Sequence, residues 1–483
     1  MSSENPYRSP APEPESNESE SNKSELNEQD SSNEDSGQQD NQSRLAFSSA
    51  GILFFNLAGQ PFALISALLV ANYLGPDEKG LAAATRVLPS FMAGTSGLGV
   101  AAALKYKLSR KDHTFDQIGL SSLFITLLQG LIAGGIFVWL ASTGWLGELA
   151  LNFPLWVKVC CAALIPVLML RQTLFMGFAG NMNFKIENIL NFLTGIIFGG
   201  LSIFLVVFKK MGFEGVLISF LSATCFASIG ALILFFRIHK PNFKINFGFI
   251  RFSYHYGLRA WIGTLAKRSN AELDQLFLGI LAPAGALGNY SVAATLGRLL
   301  YLVPNAIAPV FMNQVAEAKG NIAGKKIATI HRSMLMMVIC SGVAIAAGVA
   351  IIAPFVLPEY VDVPLILLLL IPGAVFYSTF RMLGSYFIGI GQPEKSSYCQ
   401  FIALIGSIIS YPLLVPAIGG YGAAMASSVT YFVMYLLVVS MFVKKVSLPK
   451  LELFSFRKSD LQWLKTQLLG VWNRINKFNK KKA

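Results

Sequence analysis

From about position 46 to position 443 the sequence is an almost unbroken series of apolar runs, each roughly 20 residues long, the length a helix needs to cross the hydrocarbon core of a bilayer. Lipid offers no partner for unpaired backbone groups, so only helices or closed barrels can span it. Barrel strands alternate polar and apolar residues over short stretches. Runs such as LISALLVANYL and FVMYLLVVSMFV do not alternate. Composition agrees: 54% of the residues are hydrophobic and 13% charged, against roughly 25% charged in soluble domains. The chain is expected to be an all-α polytopic membrane protein of about 12 transmembrane helices.

The runs place helices near 46–73, 80–104, 117–141, 152–178, 187–208, 214–236, 256–281, 288–313, 333–353, 363–389, 397–417 and 421–443. Positive loops are retained in the cytoplasm, so the distribution of Lys and Arg orients the set. Fifteen cations, from Lys105 to Lys395, fall on the side of the even-numbered connections. Lys79, Lys158, Lys209 and Lys210 make four on the other. Both termini are therefore expected in the cytoplasm. His113, His239, His255 and His331 lie in or beside the cytoplasmic connections, where solvated loop residues are expected and no metal site is indicated. Cys160, Cys161, Cys225, Cys340 and Cys399 lie in apolar runs without paired spacing and read as small packing residues.

The flanks differ from the body. Residues 1–45 hold eleven acids against Arg8, Lys23 and Arg44 with hardly a large apolar side chain, the composition of a disordered acidic tail. Residues 444–483 carry eleven Lys or Arg, with Leu461, Leu464, Leu468, Trp472 and Ile475 at helical spacing. They read as an interfacial amphipathic helix drawn to anionic lipid, or else as a helix packed on the cytoplasmic loops.

The body repeats itself. LGPDEKGLAAAT (74–85) has a counterpart in LAPAGALGNYSVAAT (281–295), GNMNF (180–184) in GQPEK (391–395), and GFEG (212–215) in GYGA (420–423). The offset is six helices, so the repeats are parallel. Such repeats point to two bundles rocking about a shared midplane site. The expected divisions are an N-terminal lobe over 46–236, a linker over 237–255 and a C-terminal lobe over 256–443. Pro61, beside Asn56 and Gln60, interrupts the first helix as a hinge or as a packing kink.

Arg86, Arg171, Lys267, Arg268, Arg298 and Arg381 lie within apolar runs, where a central charge costs roughly 2.5–3.5 kcal/mol even on the mildest scale. Four of them follow the repeat: Arg171 and Arg381 precede matched glycines, and Arg86 and Arg298 follow matched glycines with offsets that differ by about one turn. One reading is a shared cationic cavity for a phosphate or carboxylate; the other is snorkelling to the nearer surface. In KRSNAELDQLFLG, spacing puts Arg268 with Glu272 and Lys267 with Asp274 on common faces. Glu272 or Asp274 either takes a proton or sodium ion that couples a gradient to movement, or serves in a structural ion pair. No Walker loop, HExxH motif or nucleophile with a neighbouring base occurs, so no catalytic residue, metal or cofactor is expected.

The segments LGPDEKG (74–80), LDQLFLGILAPAGALGNYSVA (273–293) and IGIGQPEK with GGYGAAMA (388–426) resemble the multidrug/oligosaccharidyl-lipid/polysaccharide exporter superfamily, specifically its bacterial polysaccharide transporters and O-antigen flippases. The resemblance covers 46–443. It implies two six-helix lobes, a cationic central cavity and export of an undecaprenyl-diphosphate-linked oligosaccharide across the inner membrane for surface polysaccharide or lipopolysaccharide synthesis. It implies membrane lipid, a polysaccharide polymerase and glycosyltransferases as partners, and no nucleic acid. Asp274 falls where that family commonly has an acid in its seventh helix. The acidic N-terminal tail departs from the pattern, and a lipid II flippase of the related branch has two further helices. The rival readings are a multidrug or small-cation antiporter, which favours acids in its cavity, and a non-transporting scaffold of a glycan synthesis complex.

Overall fold

The computed structural model describes residues 59–301, 321–446, 453–455, 457 and 460. Among them every regular element is helical. One helix runs over Gly59–Ser96, but Gly75, with φ +70°, breaks it into α1 (59–74) and α2 (76–96). The α2 helix then bends by 56° into Val100–Ser109. There follow α3 (Phe115–Ser142), α4 (Leu155–Gly180), α5 (Phe184–Phe208, its last turn a π-turn) and α6 (Gly212–Ile238). In the second half come α7 (Phe247–Leu281), α8 (Ala284–Gly297, with a 3₁₀ turn over Arg298–Tyr301), α9 (Asn321–Val356) and α10 (Val363–Gly389). The span Pro393–Val446 is broken at Ile418 and Gly419, giving α11 (393–417) and α12 (420–446).

Among the described residues, α3, α4, α5, α6, α9, α10 and the joined α11–α12 span are long and apolar enough to cross a membrane, and the bent pair Gly59–Ser96 with Val100–Ser109 raises the number from seven to eight. The shortfall from twelve has local causes. Gly75 and Gly419 hide two turns inside longer helices. Charged residues from Arg251 to Asp274 lower the apolarity of α7, and α8 is short within the described residues.

Lipid and protein select opposite faces of each helix. On α3, Phe124, Leu128, Leu131 and Trp139 are exposed at helical spacing, while Ile118, Ser122, Ile125, Ala133, Phe137 and Ala141 are buried. Buried hydroxyls bond back to their own helix, as Ser122 does to the Gly119 carbonyl and Ser219 to that of Gly215. Close approach uses small residues: a Cβ on Gly130 would meet Pro166, and one on Gly134 would meet the Ala162 carbonyl, so α3 lies against α4. Within the first half α4 packs on the Val100–Ser109 helix, α3 and α6; within the second, α10 packs on α8, α9, α11 and α12.

The two halves meet through α1, where the Tyr360 hydroxyl donates to the Ala71 carbonyl, through α3, where Gln129 Nε2 donates to the Tyr254 hydroxyl, and through α2. Where α2 begins, a Cβ on Gly80 would overlap the Ala284 backbone, and one on Gly288 would overlap the Pro76 carbonyl. Positions 76 and 80 differ from 284 and 288 by the same offset, so these contacts are mates: the repeated segments pack on each other. Farther along, Arg268 of α7 reaches the Ser90 carbonyl of α2, and beyond the bend the Val100–Ser109 helix packs on α7.

Several residues stand elsewhere than their sequence setting suggests. His331 is fully buried, 0% exposed, and its Nε2 lies 3.1 Å from the Tyr435 hydroxyl; α9 starts earlier than expected and carries it into the bundle. Arg332 is likewise buried, paired with Asp460 at 2.8 Å. Cys340 is exposed on α9, whereas Cys161 and Cys399 are buried. Pro61 stands in the first described turn of α1, exposed, and Asn56 lies outside the described residues. The acidic arm and most of the basic tail lie outside them too.

Candidate substrate and coupling site

Arg86 sits in the buried stretch of α2. Its guanidinium is sandwiched between Phe198 of α5 and Phe220 of α6, 4.9 and 5.0 Å from the ring centroids. The rings meet edge-on, 5.8 Å apart. Such contacts stabilise a desolvated cation by roughly 2 kcal/mol each at best, yet they leave its hydrogen bonds unmet. Arg86 Nε has no hydrogen-bond partner. Arg298, at the end of α8 where the helix tightens to a 3₁₀ turn, lies within electrostatic reach of Arg86 from the other half.

On α7, Arg268 Nε donates to Glu272 Oε2 at 3.2 Å. Its Nη2 donates to the Ser90 carbonyl of α2 at 2.8 Å. Arg171 of α4 feels the charges of both Arg268 and Glu187. Asp274, two residues after Glu272, accepts from the Tyr290 hydroxyl at 2.7 Å. That hydroxyl also lies 3.4 Å from Ser427, which lies 2.9 Å from the Tyr411 hydroxyl. Arg298 is a charge neighbour of Glu272 and Asp274. Tyr301 lies within electrostatic reach of both Arg298 and Arg381, and the Arg381 guanidinium stands 6.0 Å from the Tyr377 ring.

Arg86, Arg171, Arg268, Glu272, Asp274 and Arg298 thus lie within successive electrostatic reach of one another across the two halves, and Arg381 is related to Arg298 only through Tyr301. Lys267 is not joined to Asp274, whose carboxylate is engaged by Tyr290; Lys267 is exposed on α7. Two kinds of member escaped the sequence. Lys79 is a charge neighbour of Arg86, because α2 begins at 76 and places Lys79 two turns before Arg86; their spacing of seven was the available signal. The tyrosines 290, 301, 377, 411 and 431 gather from α8, α10, α11 and α12, and no local pattern marks them. Among the described residues no three His, Cys, Asp or Glu side chains come together as a metal site.

The sequence matches the family described as polysaccharide biosynthesis protein over residues 48–313, more than half of the chain. The chain belongs to that family. No protein of curated function matches it. Among solved structures, it is similar to the lipid II flippase MurJ in an inward closed conformation: TM-score 0.67, 16% identity, covering 87% of this chain and 92% of that one. It is also similar to an inward-facing multidrug resistance MATE family transporter of the MOP superfamily, with TM-score 0.63 and 15% identity over 80% of this chain and 96% of that one. A third is the Vibrio cholerae MATE transporter VcmN, as its D35N mutant, with TM-score 0.52 and 13% identity over 85% and 98%. This member of the polysaccharide biosynthesis family is a multi-pass membrane protein with a transporter fold.

Proposed function

We propose that this protein is a flippase that moves a lipid-linked oligosaccharide, its headgroup an undecaprenyl diphosphate, from the cytoplasmic to the outer leaflet of a bacterial inner membrane. The sugar unit serves surface polysaccharide synthesis, including O-antigen, and a polymerase and glycosyltransferases act on the same intermediates. Both termini lie in the cytoplasm, where the cations of the even-numbered connections are retained.

The observation that carries the reading is that Arg86, its guanidinium between two rings and its Nε without a hydrogen-bond partner, lies within electrostatic reach of Arg298 from the other half. Like charges within reach of each other in a desolvated setting favour an anion that neutralises both. A diphosphate is the best fit, since Arg grips phosphate oxygens bidentately. The long apolar faces beside them suit a polyprenyl tail that stays in lipid while the sugar crosses between the halves by alternating access. Asp274, linked through Tyr290 and Ser427 to Tyr411, is the group that couples a proton or sodium gradient to the cycle. The antiporter reading has less support: Glu272 is paired with Arg268 and Asp274 is engaged by Tyr290, so neither acid stands ready for an organic cation.

The test is deletion of the gene with analysis of lipid-linked intermediates. A diphosphate-linked oligosaccharide is expected to accumulate on the cytoplasmic face. Normal surface glycan with altered drug sensitivity would refute the flippase reading and favour the antiporter.

A further inference from the structure

The α2 and α7 helices run antiparallel across the boundary between the halves; beyond the bend Tyr106 stacks on Tyr256, ring centroids 4.4 Å apart, and Lys107 lies over the Phe252 ring, while along 90–99 three contacts fasten the two. Gly99 and Gly257 bring the backbones together: a Cβ on Gly99 would overlap the Gly257 backbone. One turn along, Trp261 Nε1 donates to the Thr95 carbonyl at 2.8 Å. Two turns farther, Arg268 donates to the Ser90 carbonyl at 2.8 Å. Arg268 also requires Gly94 beneath it, because a Cβ there would overlap its Nε, Cδ and Cζ.

This seam lies where α2 is built to move. Leu98 and Gly99 have φ of +42° and +81°, and the helix bends by 56° between Ser96 and Val100. A break of this kind absorbs rotation without disturbing the helices on either side. A cavity of about 80 Å³ adjoins the bend, lined by Gly94, Gly97, Met169, Gln172, Trp261 and Thr264 among others. Close packing elsewhere would resist such movement; here there is room for it.

Of the three contacts only the one made by Arg268 carries charge, and its partner across the boundary is a neutral carbonyl. Arg171 stands within reach and repels it. A doubly charged headgroup arriving between Arg171 and Arg268 offers the guanidinium a stronger acceptor than a backbone carbonyl. We propose that Arg268 is the bolt of a gate between the halves: with no anion bound it holds α7 to α2 through Ser90, and an anionic headgroup draws it off and frees the end that carries the even-numbered connections. This rests on the anion-binding reading above and adds to it a positioning residue, with Gly94 as its seat. A ligand moves such an equilibrium only by binding one state more tightly, which the change of acceptor supplies.

The gate is read by electron–electron distance measurement on the full chain in lipid nanodiscs. Spin labels go at Asp112→Cys, beyond α2, and Glu394→Cys, at the start of α11, with the five native cysteines replaced. Both sites are exposed at that end of the bundle. Without ligand a single short distance is expected. Farnesyl diphosphate is expected to raise a longer-distance population about tenfold, the effect of losing one charged hydrogen bond, and farnesol to leave it unchanged. Gly94→Ala, which pushes Arg268 aside, and Arg268→Lys, which keeps the charge but loses the fork, are each expected to show the longer distance without ligand. Gel filtration of each variant checks folding. If both folded variants keep the wild-type distribution, the bolt is overturned. If farnesyl diphosphate binds, by calorimetry, but moves no distance, the trigger is overturned while the anion-binding reading stands. If it does not bind at all, that reading falls and takes the trigger with it.

Discussion

Arg86 is held by two aromatic rings and not by any carboxylate, which leaves its hydrogen-bonding capacity for a ligand. Arg298 lies within electrostatic reach of it from α8, and Arg381 of α10 is related to Arg298 through Tyr301. Each guanidinium contributes charged hydrogen bonds of about 1.5–3 kcal/mol. Arg298→Ala or Arg381→Ala is therefore expected to lower the affinity for a prenyl diphosphate by roughly ten- to a hundredfold in protein made at normal levels; unchanged affinity in both variants, measured by calorimetry, would count against the cationic cavity. Asp274→Asn is expected to abolish gradient-driven transport in proteoliposomes while leaving that affinity within a fewfold, a split that a merely structural aspartate would not give. Outside the bundle, Asp460 ties the start of the C-terminal tail to α9. Burial alone would raise its carboxyl, but hydrogen bonds from Arg332 and from the Arg457 N–H, with the charges of both, hold it below its ordinary value. A carboxyl lowered on folding contributes stability above its unfolded pKa and loses it as pH falls through the folded one. The tail contact is thus expected to be constant through neutral pH and to fail only below about pH 4. Asp460→Asn is expected to expose the tail to limited proteolysis at pH 7, with loss of the acid transition. No local signal marks this pair, since Arg332 has the setting of a loop cation and only the start of α9 at Asn321 places it within a helix.

At the scale of helices, the glycines that matter are those facing another backbone. Gly288 has the Pro76 carbonyl against it, whereas Gly135 on α3 has open space. Alanine is the better helix former by about 1 kcal/mol, so Gly135→Ala is expected to leave thermal stability unchanged or slightly raised. At Gly288 the overlap wins: an overpacked contact costs typically 1–3 kcal/mol, and Gly288→Ala is expected to unfold at a lower temperature in detergent. Equal melting temperatures for the two variants would mean that the α2–α8 contact is not close in the folded protein. The positions of the helices were legible because each carries its own signal, an apolar run ended by Gly, Pro or charge. The pairing of LGPDEKG with LAPAGALG was legible as a repeat, but not as a contact. Repetition states that two segments are alike, and only the fold brings Gly80 to Ala284. Helix starts were the weakest reading: α2 begins at 76, before Lys79, because Pro76 suits a first helical turn and the break falls at Gly75. The tyrosines around Asp274 were not legible at all, since they come from four helices with no common spacing.

The whole molecule has two seams along one helix, α2 against α8 where it begins and α2 against α7 farther along, one toward each end of the bundle. Both are narrow, being built on glycine, and a transporter that opens to one side at a time must part them in turn. The seam at α8 offers a direct trial of that requirement. A Cβ on Gly285 would stand 2.7 Å from the Asp77 carboxylate oxygen, so cysteines at 77 and 285 are close enough to join. In a chain otherwise free of cysteine, Asp77→Cys with Gly285→Cys is expected to form a disulfide under mild oxidation. The joined protein is expected to bind a prenyl diphosphate from the end with the even-numbered connections, with affinity within a fewfold of the wild type. It is also expected to transport none of it, since one seam can no longer part, and to recover on reduction. Each single-cysteine variant separates the effect of the link from that of the substitutions. Transport that continued with the link complete, as judged by mass spectrometry, would show that the halves need not separate at α8, and alternating access between them would have to be abandoned.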